Sequence, residues 1–407
     1  MLLRETLSAV LASPVLASVT APEVPRHFRP AWKRGPRSHA LVLTGVRRCG
    51  KSTLQDQLRR RLGGRSVTLN LEDTRLYGMG PDDFATLISL LDEEHPKAAV
   101  YLDEVQEVSE WQRLVRALLD GGRRVCLTGS NASLLGREMG SKLTGRQMSH
   151  EVYPFSFREF LEFTGQPVGP TELEDYLMRG GFAGALQGEA QTGQQILQEL
   201  LRDVVQRDIV TRHALRSARP LMTLALHLLA HPGQPLSLQA LAKGLGLPSV
   251  AQTGRLVEYL QDAWLLLSVP RFSASYKKRV TSPPKYYAVD TGLAAANSPN
   301  PTPDLGRKLE NAVLLALRRR GAAPTFAAAP HLWECDFVTR DLAIQCCARL
   351  TPENRTRELR GLIEASELPG GPPKKKRELL ILTLDQEDAL TEQGRAIRVL
   401  PAWKWLD

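Results

Sequence analysis

Apolar runs alternate with helical patterning between His39 and Thr164. The runs occupy residues 40–44, 66–71, 98–102, 124–128 and 150–154. An unbroken run such as 98–102 suits a strand buried on both faces, and strands separated by helices predict a parallel sheet covered on each side. Upstream, residues 1–19 are apolar but broken by Arg4, Glu5 and Pro14, which predicts an amphipathic helix and not a signal peptide. From Phe157 to about Leu215 the pattern is mostly helical, with a break at Arg179-Gly180-Gly181. Residues 220–230, 237–244 and 249–266 read as three helices joined by turn-forming His231-Pro232-Gly233 and Gly246-Leu247-Pro248. Strand-like runs at 265–269 and 285–289, joined by a basic loop, complete the pattern of a winged helix. Beyond a Pro-rich joint at 297–303, helices are expected at 307–319 and 355–365. Strands are expected there at 333–338, 342–346, 379–384 and 396–399.

The first run leads into Gly45-Val46-Arg47-Arg48-Cys49-Gly50-Lys51-Ser52-Thr53, followed by a helix-forming stretch. Gly, four residues, then Gly-Lys-Ser in a strand–loop–helix context is the pattern of a phosphate-binding loop. Its glycines let backbone N–H groups turn around phosphate oxygens, and the helix N-terminus adds its positive end. Lys51 would reach the β- and γ-phosphates, and Ser52 would take a magnesium position. The third run ends in Asp103-Glu104. Asp103 can hold the same magnesium ion, and Glu104 can polarise water for in-line attack on the γ-phosphate. The fourth run ends in Thr128-Gly129-Ser130-Asn131, so Ser130 is a candidate contact to the attacking water or the γ-phosphate, with a simple turn as the alternative.

At 407 residues the chain should hold two or three domains. No apolar run approaches the roughly 20 residues of a membrane helix. Five cysteines, two of them adjacent at Cys346-Cys347, form neither a disulfide framework nor a zinc pattern, which points to a cytoplasmic protein. The net charge of +9 suits a polyanionic partner. In the winged-helix reading, Gln252, Thr253 and Arg255 face outward into a DNA groove, and Lys277, Lys278 and Arg279 at the wing tip meet phosphate. The alternative is a winged helix used for protein contact. The basic run 372–377 reads as a solvated or phosphate-facing loop, and Trp403 and Trp405 as packing residues.

Together these residues resemble a family of prokaryotic AAA-type ATPases. In these a nucleotide domain precedes a winged helix and a C-terminal domain similar to the PD-(D/E)XK nucleases. The resemblance spans nearly the whole chain. It rests on Gly45–Thr53, Tyr-Leu-Asp-Glu-Val-Gln at 101–106, Leu-Thr-Gly-Ser at 127–130 and Leu-Thr-Gly-Arg at 143–146. It continues in Tyr-Pro-Phe-Ser-Phe-Arg-Glu-Phe at 153–160, Arg-Gly-Gly-Phe at 179–182, Glu-Cys-Asp-Phe-Val at 334–338 and Pro-Ala-Trp-Lys-Trp-Leu at 401–406. The implied architecture is α/β. A lead-in at 1–37 precedes a five-stranded parallel P-loop core at 38–164 and a helical lid at 165–215. A winged helix at 216–296 and a restriction-endonuclease-like domain at 304–407 follow.

The resemblance also implies ATP over other nucleotides, and side-by-side assembly into a homo-oligomer, up to a hexameric ring. An arginine from the neighbour would complete each site. Arg146 is the candidate, an ion pair in cis its alternative, and Arg137 the reserve. In the last domain, Glu310, Asp336 and Gln345 match the nuclease acidic positions, Gln345 replacing a glutamate, while Cys347 stands at the lysine position. A thiol carries no positive charge in either protonation state, so cleavage is not expected. Three readings follow: a DNA-remodelling ATPase, a nucleotide-switched protein scaffold, or an ATP-dependent nuclease that would need a cation from elsewhere, such as Arg349 or Lys308.

Overall fold

A computed structural model describes residues 2–13, 23–27, 38–132, 145–299, 304–329, 332–372 and 376–407. The chain divides into two compact units, Met1–Val152 with Asp262–Trp264, and Tyr153–Gln261 with Leu265–Asp407.

The first unit is built on a parallel sheet of β1 (Ala40–Thr44), β2 (Ser66–Asn70), β3 (Ala99–Asp103), β4 (Val125–Gly129) and β5 (Gln147–Glu151). The spatial order is β2-β3-β4-β1-β5, and every pairing is parallel. β1 and β4 are buried along their whole length, as their unbroken apolar sequences require. β5 begins three residues before the expected run, because an edge strand with one apolar residue among polar ones, Gln147-Met148-Ser149-His150-Glu151, carries a weaker signal than a central one. Helix α1 (Arg4–Ala12) buries Leu7, Val10 and Leu11, spaced i, i+3, i+4, in the main core. Helix α2 (Lys51–Leu62) follows the loop after β1, and α3 (Phe84–Glu94) precedes β3. Helix α4 (Trp111–Asp120) buries Trp111, Leu114, Val115, Leu118 and Leu119, a full apolar stripe.

The second unit opens with helices Phe157–Thr164, Pro170–Arg179, Ala183–Leu186 and Ala190–Asp203, the last running on as a wider π-helical segment, Val204–Thr211. Helices Arg219–Ala230, Leu238–Gly244 and Val250–Asp262 precede the antiparallel pair β6 (Leu266–Val269) and β7 (Lys285–Ala288). The connection between these strands is not the expected open loop: Ser275 caps a short helix, Tyr276–Thr281, that carries Lys277, Lys278 and Arg279. Helices Thr291–Ala296 and Leu305–Arg319 lead into the second sheet, with Pro352–Ser366 packed beside it.

The strands of that sheet are β8 (Thr325–Ala329), β9 (Trp333–Val338), β10 (Leu342–Cys346), β11 (Glu378–Thr383), β12 (Asp388–Glu392) and β13 (Arg395–Pro401), in the order β12-β13-β11-β10-β9-β8. Neither β8 nor β12 was expected. β8 is an alanine-rich strand, and β12 is a polar edge strand whose one local signal is the Gln393-Gly394 turn, both residues at positive φ. Trp403 and Trp405 lie on a closing helix, Ala402–Leu406, both half-buried, with the Arg320 guanidinium 3.9 Å from the Trp405 ring centre. All five cysteines are free thiols. No helix among the described residues is long and apolar enough to cross a membrane.

Candidate functional site

The carboxyl edge of the first sheet gathers the nucleotide-site candidates. Sequence order separates Gly45 from Asp103, but the sheet sets β4 between β1 and β3, so only one strand intervenes. Gly50 adopts φ +97°, which lets the loop turn into α2. At Gly45 a Cβ would meet the Val152 carbonyl oxygen at 2.0 Å, so the loop leaves β1 along a path open only to glycine. Val46 and Cys49 are buried, Arg47 is half-buried and paired with Glu72 at 2.8 Å, and Arg48 is exposed at φ +63°. Thr53 lies half-buried in the first turn of α2. Gln55, one turn further on, donates to the Leu102 carbonyl at 3.1 Å and so ties α2 to β3.

Lys51 is 3% exposed, and its Nζ donates to the carbonyls of Gly45 and Val46 at 3.2 Å each. It lies 3.6 Å from Glu104 Oε1. The Ser52 hydroxyl donates to Asp103 Oδ1 at 3.0 Å, and the Thr128 hydroxyl donates to the same oxygen. Burial pushes the Asp103 carboxyl up, against these two hydrogen bonds. The Glu104 N–H donates to Thr128 Oγ1 at 2.9 Å, with Glu104 held in the left-handed region at φ +51°. Two residues on, Gln106 Nε2 donates to Glu104 Oε2 at 2.6 Å and to Ser130 Oγ at 3.4 Å.

Gln106 and Thr128 were quoted within their motifs by the sequence reading but given no role in the site. Thr128 was legible only as a neighbour of Ser130, and Gln106 carried no signal beyond its nearness to Glu104. Ser52 and Asp103 present hard oxygen donors side by side, which fits a magnesium ion. Gln106 Oε1 and Thr44 Oγ1 are buried without a protein hydrogen-bond partner among the described residues, which fits a polar occupant at this edge. Arg26, 7% exposed, donates from Nη1 to the Cys49 carbonyl at 2.9 Å, so its side chain lies against the loop, while Val24 and Arg26 bond Gln57 of α2 through their backbones.

Arg146 pairs in cis with Asp120 at 2.6 Å and donates from Nε to the Ser38 carbonyl at 3.2 Å. The reserve, Arg137, lies outside the described residues.

The helix Val250–Asp262 presents Arg255 to solvent, with Gln252 half-buried. Thr253 must be corrected: it is fully buried, and its hydroxyl donates to the Ser249 carbonyl at 2.9 Å. Thr253 shares a face with Leu256, Val257 and Leu260, so the outward face is Ala251, Arg255 and Glu258. Lys277, Lys278 and Arg279 are exposed.

In the second sheet, Glu310, Asp336 and Gln345 do come together, all buried. Gln345 Oε1 accepts from the Asp336 N–H at 3.3 Å, and its amide donates to Glu358. Cys347 lies in the apolar core of this sheet. The neighbouring cation is neither Arg349, which is exposed, nor Lys308, which lies by Asp290 and Asp304. It is Lys285, from β7, which is 1% exposed. Its Nζ stands 2.9 Å from Glu310 Oε1, 2.6 Å from Glu334 Oε1 and 3.0 Å from Asp336 Oδ1.

Tyr287 donates to Glu310 Oε1 at 2.6 Å, and the Cys346 N–H donates to Asp336 Oδ2 at 2.9 Å. Burial and the nearby Asp336 charge push Glu310 up to about 7, against the pull of Lys285. For Lys285 burial acts downward, but the Glu310 and Asp336 charges outweigh it and hold the ammonium well above its usual range. Lys285 was missed because a strand-initial lysine ordinarily points to water, and Glu334 was quoted within Glu-Cys-Asp-Phe-Val but given no role.

Residues 37–161 match a family described as AAA domain, and residues 170–304 match a domain of unknown function. The chain is 29% identical over 394 residues to the uncharacterized protein MJ1544 of Methanocaldococcus jannaschii, covering 89% of this chain and 87% of that one. It is 27% identical over 316 residues to an uncharacterized protein of Haemophilus influenzae, covering 74% and 79%. Among solved structures, the Aeropyrum pernix ORC1 protein in complex with DNA overlaps 73% of this chain and 91% of its own, at 13% identity and TM-score 0.29. The Thermotoga maritima RuvB Holliday junction branch migration motor overlaps 66% and 88%, at 17% identity and TM-score 0.28. Overlaps this weak establish no function. The phosphate-loop geometry and the match over residues 37–161 agree: the first unit carries an AAA-type P-loop ATPase core.

Proposed function

We propose that the chain is a magnesium-dependent ATPase that couples ATP hydrolysis to binding or remodelling of DNA. The convergence of Lys51, Ser52, Asp103, Glu104 and Ser130 on one sheet edge carries the reading. Loop amides and Lys51 bind the triphosphate, Lys51 exchanging the Gly45 and Val46 carbonyls for phosphate oxygens. A magnesium ion held by Ser52 and Asp103 would neutralise phosphate charge. Glu104 orients and polarises the attacking water. With Lys51 drawn to phosphate and Gln106 turned toward Ser130, Glu104 is released for that work. Arg146 would act in a neighbouring copy only after giving up Asp120.

The DNA half of the reading is supported by the +9 charge, by exposed Arg255, and by the exposed Lys277, Lys278 and Arg279 beside β6 and β7, in a winged-helix arrangement. The test is ATP turnover with and without duplex, single-stranded and branched DNA. Turnover lost in Lys51→Ala, and wild-type turnover stimulated by DNA, are expected. No stimulation by any DNA would favour the protein-scaffold reading. Absence of ATP binding by the wild-type chain would remove both.

A further inference from the structure

Lys285 stands where a cation is demanded, and it comes from outside the sheet that supplies the acids. Glu334 and Asp336 lie on β9 and Glu310 on the helix Leu305–Arg319, whereas Lys285 opens β7. An ammonium has three N–H donors, and three carboxylates surround this one at 2.6–3.0 Å. Those are N⁺–H···O⁻ separations, whereas magnesium holds its oxygens at about 2.0–2.1 Å. Among the described residues no group of three His, Cys, Asp or Glu is set to hold a metal ion as placed, so these acids would have to close in by about 0.5–1 Å around one.

Access does not explain this. Glu334 keeps 42% of its side chain exposed and lines a cavity of about 520 Å³ with Phe326, Trp333 and Arg357. The strand bearing Lys285 is itself fixed: Asn311, next to Glu310, accepts from the Ala288 N–H and donates to the Ala288 carbonyl, both at 2.9 Å.

We propose that Lys285 is a tethered cation that fills and closes the acidic site of the C-terminal sheet, leaving a latent divalent-metal site that only its removal opens. The site is then sealed by a residue of the preceding hairpin. Replacement of the sheet's own lysine position by Cys347 is a separate loss.

The test uses the full chain without nucleotide, with Lys51→Ala in every sample so that the phosphate-loop site cannot turn over. Mn²⁺ binding is followed by calorimetry and by thermal melting. Lys285 intact should show no Mn²⁺ binding that depends on Asp336. Lys285→Met should gain a Mn²⁺ site at least roughly tenfold tighter, together with a Mn²⁺-dependent rise in melting temperature, and adding Asp336→Asn should abolish both. A folded Lys285→Met variant without such a site overturns the proposal. If Lys285→Met does not fold, the comparison of Lys285-intact protein with and without Asp336→Asn decides: a Mn²⁺ site lost with Asp336 overturns the proposal, and identical isotherms support it.

Discussion

Glu104 is held by two opposed contacts, with Gln106 on one carboxylate oxygen and Lys51 facing the other. Its backbone is held in the left-handed region, a conformation that non-glycine residues seldom adopt. Glu104→Gln keeps the shape and the Gln106 neighbour but removes the base. Nucleotide affinity should survive while turnover falls by about 10²–10⁴-fold, read from steady-state hydrolysis beside a fluorescent-nucleotide titration. A variant with wild-type turnover would take Glu104 out of the chemistry. Arg146 offers the contrasting case. Its bond to Asp120 is half exposed and worth little to stability, about 0–1 kcal/mol. Arg146→Ala should therefore fold and bind nucleotide normally. If the arginine serves a neighbouring copy, turnover falls and mixing with Lys51→Ala subunits restores part of it; unchanged turnover leaves Arg146 as a surface ion pair.

One buried acid in the second unit joins two elements by accepting from both of their backbones at once. Asp290, 2% exposed, caps the helix Thr291–Ala296 through the Leu293 N–H at 2.8 Å. Its other oxygen accepts the Gly181 N–H at 2.7 Å. That is the physical content of Arg-Gly-Gly-Phe at 179–182: the chain passes so close to Asp290 that its amide becomes the carboxylate's partner. Asp290→Asn must point its NH₂ at one of these donors, at a cost of about 1–3 kcal/mol. The variant should melt several degrees below wild type by circular dichroism, and an unchanged melt would show that the double contact is not made. β7 is held differently, by the Asn311 amide on the Ala288 backbone and by the acids around the Lys285 side chain.

Over the molecule as a whole, the legible parts of the sequence were those where one physical demand dominates. Central strands β1, β3 and β4 are buried on both faces and read as apolar runs, and the phosphate loop announces itself because only glycine fits beside Val152. The edge strands β5 and β12 were displaced or missed because solvent sets their composition, whereas the edge strand β2 was legible from its own run. Thr253 was misplaced outward because a polar residue inside a helix can satisfy its hydroxyl on the preceding turn and then be buried. Lys285 was invisible because its three partners lie 25, 49 and 51 residues away in sequence, a fact of tertiary packing alone. At this scale the +9 charge makes one prediction. DNA-stimulated turnover should fall steeply between about 50 and 200 mM salt while basal turnover hardly changes. Parallel declines would show that salt acts on the ATPase core and not on phosphate contacts.

Cys49 lies inside the phosphate loop, 4% exposed, with its thiol donating to the Val152 carbonyl at 3.2 Å and pushed up in pKa by burial. A thiol so placed is a poor nucleophile and has no room for an alkyl group until the loop parts from the end of β5. Its alkylation rate, followed by peptide mass spectrometry, should therefore clock the breathing of this seam, and saturating nucleotide should slow that clock.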